Sequence, residues 1–339
     1  MKKGVYFLLL LLVFSLLLAG CRNPVDIFKS YVFGEPEQEE NPLDEDLSIE
    51  DVENLEVPDE NSRQTTLYYT DSTGYVVPVV RQIPRVEGIA VAALNALVDS
   101  PENRSDLKAL GLQPVLPANT EIELAIKEGG LANVNLTGEV LKVESKDQEE
   151  KMVMAVVYTL TEFETIDNVQ IMVDNKILET LTYGTDVSQP IGRGNINALN
   201  NDIEGEHAKM TLYLYNNPTG QYTYFVPVTK KVAANARNIE SAVKELISSK
   251  GEIAELQLNI PEGTTVYGVN IESGVAYVNF SEHLSKMEDV EEMKNIAKAV
   301  GLTLKEFEGV TGVRLMVEGK AISQLGSDPI TIPTFANTY

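Results

Sequence analysis

Between residues 64 and 184 the apolar positions switch between a period of two and a period near 3.6, and the same series of switches recurs between residues 208 and 325. Each series opens on Leu67-Tyr68-Tyr69 or Leu212-Tyr213-Leu214, passes a turn holding Thr73-Gly74 or Thr219-Gly220, and returns through Val77-Pro78-Val79 or Val226-Pro227-Val228. Two such runs around a Gly-bearing turn predict a hairpin. Pro78 and Pro227 cannot donate to a ladder, which puts that strand at a sheet edge or ends it there. Next, Ile239, Val243, Leu246 and Ile247 fall at i, i+4, i+7 and i+8, one stripe of an amphipathic helix. Its counterpart from Glu87 to Val98 is richer in Ala. A loop with Pro117 or Pro261 leads into two alternating strands joined by Glu128-Gly129-Gly130 or Glu272-Ser273-Gly274. A second helix carries Val153, Val156, Val157, Leu160 and Phe163, or Met293, Ile296, Ala297, Val300, Leu304 and Phe307. A final strand, Val169 to Val173 or Val313 to Val317, closes each series.

The two series are one module written twice. Thr159–Lys176 and Thr303–Lys320 agree at 9 of 18 positions, which fixes the offset at 144 residues. Leu131–Thr137 aligns with Val275–Ser281 at the same offset. Strands in hairpins with helices between them predict an α+β fold: two tandem repeats of a small sheet with helices packed on one face. The expected organisation is a leader over 1–20, a tether over 21–63, repeats at 64–184 and 208–325, a linker over 185–207 and a tail over 326–339.

The N-terminus reads differently. Lys2 and Lys3 precede an apolar run from Val5 to Ala19 broken only by Ser15, too short for a membrane span and suited to a signal sequence. It ends in Leu18-Ala19-Gly20-Cys21, which resembles a lipoprotein lipobox. Cleavage is expected between Gly20 and Cys21, with a diacylglyceryl anchor on the Cys21 thiol. Two or more acyl chains hold a protein stably at a bilayer. Cys21 is the one cysteine of the chain, so no internal disulfide is available.

From Glu35 to Glu60 there are 13 acidic residues and no basic one, interspersed with Pro36, Pro42 and Pro58. Such a composition cannot bury enough apolar surface to offset its ordering entropy, and its like charges extend it. The 42 residues from Arg22 to Arg63 would span on the order of 35 Å as a flexible coil and about 140 Å fully extended. The regular ligand spacing of a calcium loop is missing.

Charge narrows the function further. The net charge of −24 argues against nucleic acid, whose phosphates need clustered cations, and against direct adhesion of the folded part to an anionic membrane. Two His, one Cys and no Trp leave little for metal or nucleophile chemistry. His207 and His283 are unmatched between repeats, so neither a metal site nor a cofactor is expected. Glu162 with Glu164 and Glu306 with Glu308 stand at i and i+2, which on a helix point apart, so they are read as exposed charges of the second helix rather than an acid–base pair. Asn135 and Asn279 are read as strand-end hydrogen-bonding groups. Gly192-Arg193-Gly194 lacks the third glycine and the strand-to-helix setting of a dinucleotide fingerprint. No catalytic residue is expected.

The lipobox, the acidic tether, and the twice-occurring Leu-Tyr, Val-Pro-Val, Thr-Leu-x-Glu-Phe and Met-Val-x-x-Lys motifs resemble the family of sporulation and spore germination lipoproteins built from GerMN domains. The resemblance runs over about residues 1–325. It implies a non-enzymatic envelope protein, lipid-anchored on the extracytoplasmic face, acting at engulfment between mother cell and forespore. The fold it implies is similar to the ring-building motifs of secretion systems. The partners it implies are sporulation channel and envelope proteins, with self-association of the GerMN units, and no nucleic acid. An alternative is an envelope lipoprotein that binds peptidoglycan or another wall polymer. That function would need an aromatic cluster on one sheet face, for which the hairpin tyrosines Tyr68, Tyr69, Tyr75, Tyr213, Tyr215, Tyr222 and Tyr224 are candidates.

Overall fold

A computed structural model describes residues 62–199, 205–253 and 255–339. Cys21, the leader and nearly all of the acidic tether therefore lie outside the described residues. The first repeat opens with a hairpin of β1 (Ser62–Asp71) and β2 (Val76–Pro84). Asp71 closes its turn, accepting from the N–H groups of Thr73 and Tyr75 at 2.9 Å each. Helix α1 (Ile89–Asn95) follows, then α2 (Pro101–Leu107), β3 (Leu112–Gln113), β4 (Ile122–Lys127) and β5 (Leu131–Leu136). Helix α3 (Lys146–Leu160) and β6 (Asn168–Val173) complete it. The second repeat runs β7 (His207–Asn216), β8 (Tyr224–Ala233), α4 (Ile239–Ser248), β9 (Val266–Glu272), β10 (Val275–Phe280), α5 (Val290–Leu304) and β11 (Gly312–Val317). Two short strands, β12 (Lys320–Ala321) and β13 (Ile330–Thr331), then pair with β11.

The architecture is α+β, with small sheets and helices packed on them, as the periodicity predicts. Each repeat divides its strands between two sheets. One sheet is the hairpin, extended by β3 in the first repeat. The other runs β4-β5-β6 or β9-β10-β11, with an antiparallel pair followed by a parallel one. The long helix lies between them: α3 touches β1 and β6, and α5 touches β7 and β11. This explains why the last two turns of α5 are buried all round, from Ala299 through Leu304, instead of along one stripe. The central strands follow the alternation: Ala276, Val278 and Phe280 are each 0 % exposed, and Val275, Tyr277 and Asn279 face outward.

Helix starts are set by ordinary chemistry. Ser145 caps α3 by accepting from the Gln148 N–H, and Gln148 Oε1 accepts from the Glu144 N–H, so the two ends satisfy each other. Asn238 caps α4 by accepting from the Ser241 N–H, and Asp289 caps α5 by accepting from the N–H groups of Glu291 and Glu292. Gly129-Gly130 and Ser273-Gly274 all have positive φ, which their tight two-strand turns require.

The repeats are joined along the outer edges of β2 and β8. In β2 the outward-facing residues are Val76, Pro78 and Val80; in β8 they are Phe225, Pro227 and Thr229. Proline at the middle position removes the donor that would otherwise stand unpaired at the seam. The Asn197 side chain accepts from the Val76 N–H and donates to the carbonyls of Val76 and Pro227, all at 2.8 Å. Asn337 mirrors it, accepting from the Phe225 N–H at 2.7 Å and donating to the carbonyls of Phe225 at 2.8 Å and Pro78 at 2.7 Å. Each asparagine thus grips the strand of the repeat it follows and reaches the proline carbonyl of the other.

The main chains cross in the opposite sense. Thr229 N–H donates to Ile196 and Leu199 N–H to Thr229, while Val80 N–H donates to Asn337. Residues 196–199 therefore line the second repeat and residues 337–338 the first. Asn197 and Asn337 are buried, and Asn197 holds a left-handed φ of 46° that asparagine tolerates better than most side chains. The described residues, from Ser62 onward, form one compact unit.

Candidate functional site

A cleft of about 410 Å³ opens beside this seam, between the strand-end turns that follow α3 and α5. Its first-repeat half is a closed network. The Tyr68 hydroxyl donates to Glu162 at 2.9 Å, and Arg193 makes an ion pair with the same Glu162 oxygen. The Arg193 guanidinium also donates to Thr161 Oγ1 at 2.8 Å and lies 4.9 Å from the Tyr158 ring centroid and 5.9 Å from that of Tyr68. Burial pushes the Tyr68 phenol well above its usual value, and the nearby Glu162 adds to it. Burial would lower the Arg193 guanidinium, but Tyr68 and Glu162 outweigh it and raise it.

The second-repeat half carries the equivalent residues. Tyr213 occupies the place of Tyr68, and its N–H donates to Thr303 Oγ1 at 3.0 Å as that of Tyr68 donates to Thr159 Oγ1 at 3.1 Å. Glu306 occupies the place of Glu162. Desolvation raises its carboxyl, opposed by Arg237 and by a hydrogen bond from Thr211. Burial raises the Tyr213 phenol, with Glu306 adding to the shift.

The structure redistributes several residues read from sequence. Glu162 and Glu164 are not on the second helix: α3 ends at Leu160, and Glu162 sits in the following turn, where it meets Tyr68 and Arg193. Glu306 and Glu308 likewise follow the end of α5 at Leu304. Phe163 and Phe307 continue the apolar spacing of the helical stripe, yet each packs on the core from the turn beyond the helix. Asn135 and Asn279 act at strand ends, accepting from the N–H of Asn175 at 2.7 Å and of Gly319 at 2.8 Å. His207 is the first residue of β7, and His283 stands against Ser281 at 3.4 Å. Among the described residues no group of three or more His, Cys, Asp or Glu is placed to hold a metal ion.

Gly194 of the Gly192-Arg193-Gly194 run accepts from the Tyr158 hydroxyl at 3.0 Å, so the loop is packed against the cleft wall. Arg193 was invisible to motif reasoning, because a lone arginine between glycines has no spacing that names a partner. Of the seven hairpin tyrosines, Tyr68, Tyr69, Tyr215 and Tyr224 are buried, which leaves no continuous aromatic platform on those strands. Tyr224 donates to Asp71 of the other repeat at 3.0 Å and Tyr215 donates to Glu292, so these hydroxyls serve packing and the seam.

The sequence profile of the Germane family, described as "Sporulation and spore germination", matches residues 66–179 and 211–323. The chain belongs to this family. It is 30% identical over 288 residues to the spore germination protein GerM of Bacillus subtilis (strain 168), covering 80% of this chain and 77% of that protein. Among solved structures, the tandem GerMN domains of the sporulation protein GerM from Bacillus subtilis align with a TM-score of 0.66 and 28% identity, over 82% of this chain and 99% of that one. The first GerMN domain of the same protein aligns over 39% of this chain and 98% of its own, with 33% identity and a TM-score of 0.36. Both Germane matches fall inside the two repeats, which are thus tandem GerMN domains, and the family places the chain in sporulation and germination. Residues 196–199 and 337–338, which carry the seam, lie outside both matched segments.

Proposed function

We propose that this Germane-family chain is a non-enzymatic lipoprotein that acts by protein–protein contact in engulfment-stage assembly of the mother cell–forespore envelope complex, and in germination. Cys21 carries the diacylglyceryl anchor after cleavage behind Gly20. The acidic segment sets the head off the extracytoplasmic face of the membrane, in the space between the two cells. Sporulation channel and envelope proteins are the partners, and the GerMN repeats self-associate. The observation that carries this reading is the seam: two copies of one small fold are held as a single body by reciprocal buried asparagines. A fixed pair of α+β units presents contact surfaces at a constant spacing, which a scaffold needs.

The test is a deletion strain of the native host. Loss of heat-resistant spores with normal vegetative growth is the expected result, and a Cys21→Ala strain should reproduce it. Normal sporulation with a growth or wall-shape defect would overturn the proposal in favour of a wall-binding role. Retention of the purified head on isolated peptidoglycan would point the same way.

A further inference from the structure

The cleft at the seam has a two-fold framework with one-fold chemistry. Tyr68 and Tyr213 are equivalent, as are Glu162 and Glu306, and Thr159 and Thr303 fix both tyrosine backbones alike. The first half is completed by Arg193, four residues before the clamp Asn197. Four residues before the other clamp, Asn337, stands Pro333. The second half keeps the carboxylate and the phenol, has Leu302 and Lys305 where the first has Tyr158 and Thr161, and lacks the guanidinium. Among the described residues Glu306 has no ion-pair partner, and the Tyr213 hydroxyl makes no hydrogen bond. Arg237, Lys305 and Arg193 all act on Glu306, Arg237 most, but none pairs with it: the Arg237 guanidinium lies over Phe307 at 5.8 Å and donates to the Lys209 carbonyl, the Lys305 ammonium donates to the carbonyls of Pro333 and Thr334, and Arg193 pairs with Glu162.

We infer that the Glu306–Tyr213 half of the cleft is a binding site for an arginine side chain of a partner protein, paired with Glu306 and stacked on Tyr213 as Arg193 is with Glu162 and Tyr68. A guanidinium suits it better than an ammonium, because its plane stacks on an aromatic ring while its edge pairs with a carboxylate. The space is open to solvent and adjoins residues of both repeats, so an arginine on an extended segment can enter without unfolding anything. A net charge of −24 draws a cationic segment toward the chain. This rests on the reading of the head as a protein-contact module and names the chemistry of one contact.

The two-repeat head forms one compact unit and can be tested by itself. With ring-labelled tyrosines, it would be titrated by NMR with N-acetyl-arginine amide and, separately, with the isosteric but neutral N-acetyl-citrulline amide. Saturable shifts of the Tyr213 ring are expected with the arginine probe, at a dissociation constant of about 1–10 mM. Citrulline should bind at least about fivefold more weakly, and Glu306→Gln should weaken the arginine probe by a similar factor. Glu308→Gln, in the same turn but outside the cleft lining, should leave the Tyr213 shifts in place. Absence of saturation, equal binding of citrulline, or no effect of Glu306→Gln would overturn the inference. If the probe fails while the deletion strain still loses its spores, the cleft reading falls and the scaffold reading stands. If the probe binds and the deletion strain sporulates normally, the reverse holds.

Discussion

The seam makes its strongest prediction at Asn197. Asn197→Ala removes three hydrogen bonds of 2.8 Å and leaves the Val76 N–H and the carbonyls of Val76 and Pro227 without partners in a buried place. A dry orphaned group costs about 1–3 kcal/mol, and water entering the vacated space recovers part of that, so the expected loss is about 2–4 kcal/mol. The φ of 46° adds roughly 1 kcal/mol of strain for alanine, which Asn197→Gly would remove and so isolate. Asn197→Asp is more diagnostic. It keeps the acceptor for Val76 N–H but turns the donor into a second oxygen facing two carbonyls, in a site where a charge is poorly solvated. Asp should therefore be worse than Ala at neutral pH and should improve on acidification, as its carboxyl protonates and regains a donor. The assay is denaturant unfolding of the head followed by tyrosine fluorescence, since the chain has 14 Tyr and no Trp. Faster amide exchange is expected at Val76 and Thr229 before the cores are touched. A loss below about 0.5 kcal/mol for Ala, or an Asp variant as stable as Ala at pH 7, would refute the clamp.

Three further outcomes follow from other contacts. Glu149, 0 % exposed, would be raised by burial, but the N–H groups of Tyr183 at 2.8 Å and Thr185 at 3.0 Å hold it below the usual carboxylate range. A lowered folded value gives stability that is present at neutral pH and lost as pH falls through that value. Glu149→Gln should thus cost about 1–3 kcal/mol at pH 7, and urea titrations should show its gap to the parent narrowing below about pH 4.3. Arg193→Ala loses one partly exposed ion pair and the packing over two tyrosine rings, so thermal denaturation should report about 1–2 kcal/mol, with Arg193→Lys recovering less than half. Phe280→Ala, at a fully buried position of β10, should cost about 3–5 kcal/mol, measured by denaturant unfolding.

The parts of the fold legible in the sequence are those where one physical signal dominates. Strand alternation, the Gly turns at 129–130 and 273–274, and the stripe of α4 locate elements that the structure contains, because each element buries one face and exposes the other. Helix α2 has a fair N-terminal signal in Ser100-Pro101-Glu102 but only Leu107 to bury, so it shows no periodicity. The first turns of α3 show no stripe for a related reason: Lys146 to Lys151 are all polar, only Glu149 among them is buried, and the helix starts through the Ser145 cap. The seam was illegible in principle. Asn197 and Asn337 are 140 residues apart, off the 144-residue offset of the repeat, in stretches without any pattern. Arg193 belongs to the same class, since only folding brings it to Glu162.

The prolines tie these observations together. A hairpin edge in a free-standing single repeat would expose a row of unpaired donors and acceptors, a hazard that proline blunts. Here the same prolines, Pro78 and Pro227, are buried in the seam's logic: they omit a donor where no acceptor exists, and each offers its carbonyl to the asparagine that follows the other repeat. The arrangement has two-fold symmetry only in its backbone, because the two copies are on one chain and can diverge residue by residue. Divergence is small beneath the cleft, where Thr159 and Thr303 accept the same backbone bond from Tyr68 and Tyr213. It is large at the mouth of the cleft, where the residue four before the clamp asparagine is Arg193 in one case and Pro333 in the other. A symmetric pair of identical subunits would have filled both halves or neither. One chain can fill the first half from within and leave the second to a partner, and so convert a packing motif into a one-sided receptor.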